Sequence, residues 1–311
     1  MLDIRALNSQ LSDMAAELGR QADVTSGRLA AAIALLDGAA RTPAPLMARL
    51  EAYMAMPDAP WLVGQPLEPL DAVHALPSWQ GPSSVVATDG SQITPSHHEI
   101  ALCYLINVGR ILYTYGTGEP PIQDSRPFLF HRERDMRPLI GKRHVTITEE
   151  LIATFRDMHE RAALVELARE ATERGHPVLA LVDGSLIQWM LEDAPEAFQE
   201  EVLSGHLGVL EALRGLGVAV AGYVSGSRSA DVSNMLKLAA CPKAELDCGS
   251  CAWQEPPCET GHGRLGDRRL WEARLSPGER SPLFRSSARI LSKYGAHHVV
   301  FFYLHVGSEV A

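Results

Sequence analysis

No apolar run in this 311-residue sequence approaches the roughly 20 residues of a membrane-spanning helix. The first residues, Met1-Leu2-Asp3-Ile4-Arg5, lack the basic start and apolar core of a secretory signal. A helical membrane protein and a secreted one are thereby set aside, and a cytoplasmic protein is expected. Cysteine is scarce: there are five, and four of them fall within the 18 positions from Cys241 to Cys258. A disulfide framework would spread them, whereas metal ligands crowd in this way. Charged residues make up 21% against 46% hydrophobic, a globular composition and not a disordered one. Positive charge is also in deficit. Lys and Arg number 28 against 38 Asp and Glu, a net charge of −10, which argues against indiscriminate nucleic-acid binding. The deficit is uneven, because from Arg264 to Lys293 eight basic residues face three acids, and from Arg132 to Arg143 five face two. Those two stretches suit a phosphate backbone while the rest of the surface stays acidic.

Ile4, Leu7, Leu11, Met14 and Leu18 recur at helical spacing, and Leu29 to Leu36 continues the pattern after Gly27, so residues 3–36 read as helix. A second short helix is expected from Pro45 to Met54. Five prolines between Pro57 and Pro77 punctuate an aperiodic stretch, which makes 56–82 an extended connector. Residues 1–82 thus read as an acidic helical segment with its connector. The core is expected over 83–311, with 241–284 as a Cys-rich insertion.

The core opens on Val85-Val86-Ala87-Thr88 running into Asp89-Gly90-Ser91, and the device recurs where Val178 to Val182 runs into Asp183-Gly184-Ser185. Each reads as a buried strand that delivers one carboxylate to the end of a sheet, the place where open α/β sheets carry their chemistry. Asp-Gly is also a common turn dipeptide, but its repetition after two apolar strands favours a shared acidic site. Between the two motifs, Ile100–Val108 and Ile111–Tyr115 read as strands joined by a turn at Gly109-Arg110, completing an antiparallel meander. A long loop with the basic 132–143 stretch follows, then an amphipathic helix over 148–174. Beyond Asp183 the pattern predicts a helix over 186–213, a buried strand over 218–224 and a helix over 230–239. Three meander strands, then helix, strand, helix, strand, helix, is the order of a ribonuclease H-like mixed sheet flanked by helices. In that fold the first and fourth strands are neighbours, so Asp89 and Asp183 would converge.

These residues resemble the NurA family of nucleases. The likeness is carried by Ala87-Thr88-Asp89-Gly90-Ser91, the helix with Arg161 and Glu166, Leu181-Val182-Asp183-Gly184-Ser185-Leu186, the strand with Tyr223-Val224-Ser225, and Phe301-Phe302-Tyr303-Leu304. The resemblance implies a dimeric deoxyribonuclease with a manganese or magnesium requirement, working with a hexameric HerA-type ATPase on DNA ends in recombinational repair. It also implies the catalytic and metal-binding acids: Asp89, Asp183, and the glutamate 17 positions before the latter, Glu166. Hard divalent cations need several oxygen ligands, and two ions about 4 Å apart activate water and steady a leaving oxygen. Ser225, Ser227 and Arg228, with Arg264, Arg268 and Arg269 of the basic run, are the expected DNA contacts. Two departures stand out. Gly226 occupies the position where the family has a basic residue, and the sequence reaches Ala311 without the Glu-x-Pro segment and late histidine of family members, so that either this is a fragment of a longer chain or that ligand has been lost. A catalytically incomplete DNA-binding or motor-binding subunit is therefore the alternative.

Cys241, Cys248, Cys251 and Cys258 follow C-x6-C-x2-C-x6-C spacing in a stretch broken by Pro242, Gly249, Pro256 and Pro257. Such a loop buries little core and gains from a metal clip, and thiolates favour zinc. A structural zinc is expected, with iron–sulfur and unligated or disulfide-bonded cysteines as the other readings. A regulatory protein built on a metal–thiolate site alone would leave the paired Asp-Gly-Ser motifs unexplained.

Overall fold

Helical spacing carries the chain through Gly19, Gly27 and Gly38 without a break, so α1 is one helix, Ile4–Arg41. Pro43 opens α2, Pro43–Met54, at the position where a missing N–H costs nothing. The computed structural model describes residues 4–95, 102–192, 194–251, 256, 258, 265–307 and 309–311. Within the connector lie two short strands, β1 (Gly64–Pro66) and β2 (His74–Ala75).

The core sheet begins with β3 (Ser83–Ile93), β4 (Tyr104–Tyr115) and β5 (Ile122–Phe130). The turn expected at Gly109-Arg110 does not exist. Both residues lie inside β4, where Tyr104, Ile106, Val108, Arg110, Leu112 and Thr114 alternate as its buried side. Arg110 tolerates burial because its guanidinium donates to Asp124 on the next strand, Nε to Oδ1 at 2.7 Å. The third meander strand is β5, in what reads as loop. Its residues are almost all exposed, and Pro127 sits in it as edge strands allow.

After a short helix, α3 (Glu133–Met136), and a small hairpin of β6 (Leu139–Ile140) and β7 (Arg143–His144), α4 runs Glu149–Thr172. Thr148 caps it, its side chain accepting from Leu151 N at 3.3 Å. Strand β8 follows at Val178–Asp183. The helix expected from 186 starts only at α5, Glu196–Gly215, behind Pro195; residues 189–191 form a single 3₁₀ turn. Strand β9, Ala219–Tyr223, is a largely exposed edge and not a buried strand, and α6 spans Asp231–Ala240. The sheet order is β5-β4-β3-β8-β9, with β3 antiparallel to β4 and parallel to β8. This is the ribonuclease H-like arrangement, with the first and fourth strands paired. One face packs on α4: Val86, Leu112, Ala180, Leu164 and Leu167 are buried together.

The chain divides into two compact units that are not consecutive in sequence. One is Ser78–Val224 with Arg289–His298, which holds the five-stranded sheet. The other joins Met1–Pro77 to Ser225–Ala288 and Val299–Ala311. The linear division at residue 83 therefore differs from the packing. The N-terminal helices share a core with α6 and the C-terminal segment, in which Leu36, Leu50, Tyr53, Trp271 and Phe284 are buried. There β1 pairs with β11 (Phe284–Ser286) and β2 with β10 (Glu279–Arg280). Among the described residues no helix is long and apolar enough to cross a membrane.

Candidate active site

The parallel register of β3 and β8 ends on Thr88 opposite Val182, so Asp89 and Asp183 stand side by side one residue beyond the pair. Adjacent strands lie about 4.8 Å apart, and both carboxylates are exposed. Thr88 points to α4, its hydroxyl donating to Glu160 O at 3.0 Å. Alternation along the strands then places Asp89 and Asp183 together on the side of the sheet away from α4.

The two motif glycines serve different ends. Gly184 has a φ of 97°, which favours glycine, and its N–H donates to Tyr223 O at 2.8 Å, steering the chain out of β8. At Gly90 the need is space: a side chain there would meet Glu160 Oε1 and Arg156 Cγ.

Glu160 is the acid that sequence reasoning passed over. It is largely buried and forms an ion pair with Arg156, Nε to Oε1 at 3.1 Å. Burial pushes its carboxyl up to about 7, with Arg156 opposing and the charges of Asp157 and Asp89 adding to the rise. The sequence signal was faint: an Arg and a Glu four apart on a helix facing a strand that ends in Asp-Gly. Glu166, the expected third acid, is exposed and accepts from Arg126 Nη1 on β5 at 2.6 Å. Thus two of the three expected acids are brought together and Glu166 stands apart from them. No group of three His, Cys, Asp or Glu positioned to hold a metal occurs among the described residues. Two neighbouring exposed carboxylates still suit magnesium or manganese, because such ions keep several waters and take one or two carboxylates plus substrate phosphates.

A buried polar chain fixes the loop after Asp183. Arg161 donates to both carboxylate oxygens of Asp157, at 2.9 and 3.2 Å, and to His206 Nδ1. With Nδ1 accepting, Nε2–H of His206 donates to Leu186 O at 2.9 Å. Burial, and then Arg161, push the imidazole down to about 4, so it is neutral near pH 7. Tyr294 also donates to Leu186 O, at 3.0 Å, and accepts from Gln188 N at 2.9 Å.

In the other unit, Arg228 and Ser225 are exposed, and Ser227 Oγ accepts from Ser229 N at 3.2 Å. Arg264 lies outside the described residues. The basic run is not a free cationic stripe. Arg268 pairs with Glu272 at 2.8 Å and Glu309 at 3.5 Å, Arg269 with Glu272 at 3.8 Å, and Arg274 with Asp37 at 2.6 Å. Arg280 holds Glu68 at 2.8 Å, its guanidinium keeping that carboxyl down at about 2. Cys241, Cys248, Cys251 and Cys258 are all partly buried, and none forms a disulfide among the described residues. Burial, reinforced by the charges of the other three, pushes the Cys248 thiol up to about 11. Thiolates are a donor set that suits a soft cation, but the four cysteines do not stand at ligating positions among the described residues.

A family model described as NurA domain matches residues 83–311. Among solved structures, the NurA nuclease from Sulfolobus solfataricus shares 12% identity over 76% of this chain and 69% of its own, with a TM-score of 0.43. A second NurA crystal structure shares 17% identity over 48% of this chain and 35% of that one, with a TM-score of 0.26. LC9-RNase H1, a type 1 RNase H with the type 2 active-site motif, shares 12% identity over 50% of this chain and 69% of its own, with a TM-score of 0.25. No curated protein matches the sequence.

Proposed function

Since this chain belongs to the NurA family over residues 83–311, we propose that it is a metal-dependent deoxyribonuclease acting at DNA ends. The observation that carries this reading is the register that sets Asp89 beside Asp183 at the ends of parallel strands. Asp89 and Asp183 would hold manganese or magnesium, which supplies an activated water and compensates the charge on the leaving oxygen. The protein's own part is positional. Gly184 turns the chain at the strand end, and the Arg161–His206–Tyr294 chain holds Leu186 O, so the loop beside the acids is fixed before substrate arrives. Arg156 keeps a positive charge beside Glu160 at the same strand end.

Glu166 stays in the proposal as the third acid. Its bond to Arg126 joins two half-exposed side chains and is worth at most about 1 kcal/mol, a small barrier to release. A homodimer, a HerA-type ATPase partner and a role in recombinational repair follow from the family resemblance and belong to the same proposal. So does a structural zinc on the four cysteines. The test is hydrolysis of end-labelled DNA by the full chain with manganese or magnesium, against Asp89→Asn. Metal-dependent cleavage lost in the variant supports the reading, and cleavage that survives Asp89→Asn ends it.

The placement of Glu160 and Glu166 on α4, with Asp89 and Asp183 on the other side of the sheet, favours a second reading, a catalytically incomplete DNA-binding or motor-binding subunit. DNA binding with no hydrolysis under any divalent cation would select it.

A further inference from the structure

The proposed chemistry leaves unused a cavity of about 200 Å³ beside α4, lined by Tyr104, Phe130, Phe155 and His159 together with Arg134 and Asp135. Its walls are flat. Tyr104 and Phe130 stack at 4.5 Å with 9° between their planes, and the His159 ring lies 4.5 Å from Phe128. His159 is half-buried, and burial lowers its pKa, so it presents a neutral aromatic face. The rim is polar. Asp135 Oδ2 accepts the backbone N–H groups of His131 and Arg132 at 3.1 and 2.9 Å, and Oδ1 faces Arg134 Nε at 4.0 Å. Around it stands the other basic stretch: Arg132, Arg134, Arg137, Lys142 and Arg143 are all exposed.

Aromatic walls beside exposed cations are what single-stranded nucleic acid requires. Rings stack on a base of any sequence, and cations hold the phosphates. A carboxylate and a guanidinium at the rim offer an acceptor and donors to a base edge. Phe155 and His159 each precede along α4 one of the residues, Arg156 and Glu160, that lie against Gly90, so the cavity flanks the sheet on its α4 face, opposite the one that carries Asp89 and Asp183. We propose that this cavity takes one unstacked nucleobase of single-stranded DNA, whose backbone runs along the Arg132–Arg143 stretch. The inference rests on the nuclease reading and gives its substrate a specific foothold.

The test uses the full chain carrying Asp89→Asn and a single-stranded oligonucleotide with 2-aminopurine placed at successive positions. One position should change its fluorescence on binding, and an abasic site there should weaken binding about tenfold, within the range for loss of one stacked base. His159→Ala should reproduce that loss, while His159→Phe, which keeps the stacking face, should restore binding. Arg134→Ala, at an exposed side chain, gives a second arm that leaves the fold intact and should also weaken binding. Equal fluorescence at every position, or an abasic strand bound as tightly as the parent, overturns the cavity assignment. Hydrolysis by the unmodified chain is scored separately. Cleavage without a position-specific signal removes the cavity and leaves the nuclease, and a signal without cleavage does the reverse.

Discussion

Glu160 Oε1 occupies the space that a side chain on Gly90 would need. The backbone of Gly90 is not in the positive-φ region, so room and not torsion excludes larger residues. Gly90→Ala must displace Glu160 and Arg156 from the strand, at a cost of roughly 1–3 kcal/mol in urea denaturation. In a Glu160→Ala background part of that cost should vanish, giving a coupling above about 0.5 kcal/mol. Strictly additive effects would show that the two residues do not compete for the space.

Asp89→Asn and Asp183→Asn should each reduce metal-dependent DNA hydrolysis to background. Both should leave the urea midpoint unchanged or slightly raised, since each removes one of two neighbouring like charges. Glu166→Gln should shift stability by less than about 1 kcal/mol because its ion pair with Arg126 is exposed. If Glu166 serves as the third acid, hydrolysis falls in that variant as well. A fully active Glu166→Gln enzyme removes it from the site.

The β3 and β8 strands were legible because each is a short apolar run closed by Asp-Gly-Ser, and the helix between them because its caps and spacing agree. From these the sheet order and the neighbouring Asp89 and Asp183 followed. What misled was surface. Strand β5 is an edge with no buried side chain, and its apolar residues, Ile122 and Phe128–Phe130, show no alternation, so nothing in its sequence marks a strand. Gly109-Arg110 imitates a turn, but Arg110 is buried through its pair with Asp124, a partner 14 residues away that no local pattern reveals. Glu160 was missed for the same reason. Its altered acidity comes first from burial, with Arg156 and Asp157 of its own helix and Asp89 of β3 acting on it as well, and no local pattern reveals that burial.

Asp267 is fully buried, and burial pushes its carboxyl up to about 6 despite bonds from Tyr303 Oη at 2.7 Å and from Val232 N and Ser233 N at 2.9 and 2.7 Å. These two N–H groups belong to the first turn of α6, where a helix has no internal acceptors. Because the folded pKa lies above the ordinary 3.8, the folded chain holds a proton that the unfolded chain releases. Its contribution is full below pH 3.8 and declines as pH rises to about 6. Asp267→Asn offers one acceptor oxygen to three donors and should cost about 1–3 kcal/mol. The wild-type minus variant stability difference should shrink between those two pH values. A difference independent of pH would show that Asp267 titrates normally.

Purified protein should carry close to one tightly bound zinc per chain, released in Cys248→Ser. After metal removal, Cys248 should be the slowest of the four cysteines to react with an alkylating reagent at neutral pH, because its thiol is half-buried and pushed up to about 11. Metal analysis that finds none in freshly purified protein, with four equally reactive thiols, would refute the zinc reading. A brown protein would point to iron–sulfur instead.

DNA affinity should fall steeply with salt, with a log–log slope near −0.7 for each phosphate contacted on a single strand. The two basic stretches should then separate. Arg268, Arg274 and Arg280 are engaged by Glu272, Asp37 and Glu68, so reversing their charge breaks internal ion pairs and should lower the unfolding midpoint. Arg137, Lys142 and Arg143 are exposed, so charge reversal there should leave the midpoint within about 0.5 kcal/mol of wild type. Each such reversal should make the salt slope shallower by about 0.7 and weaken binding equally for all sequences, since backbone contacts carry no base information. Arg228, also exposed, should behave in the same way if it meets the backbone. A slope that stays flat with salt, or one that responds to Arg268→Glu and not to Arg137→Glu, would place the phosphate contacts outside the 132–143 stretch.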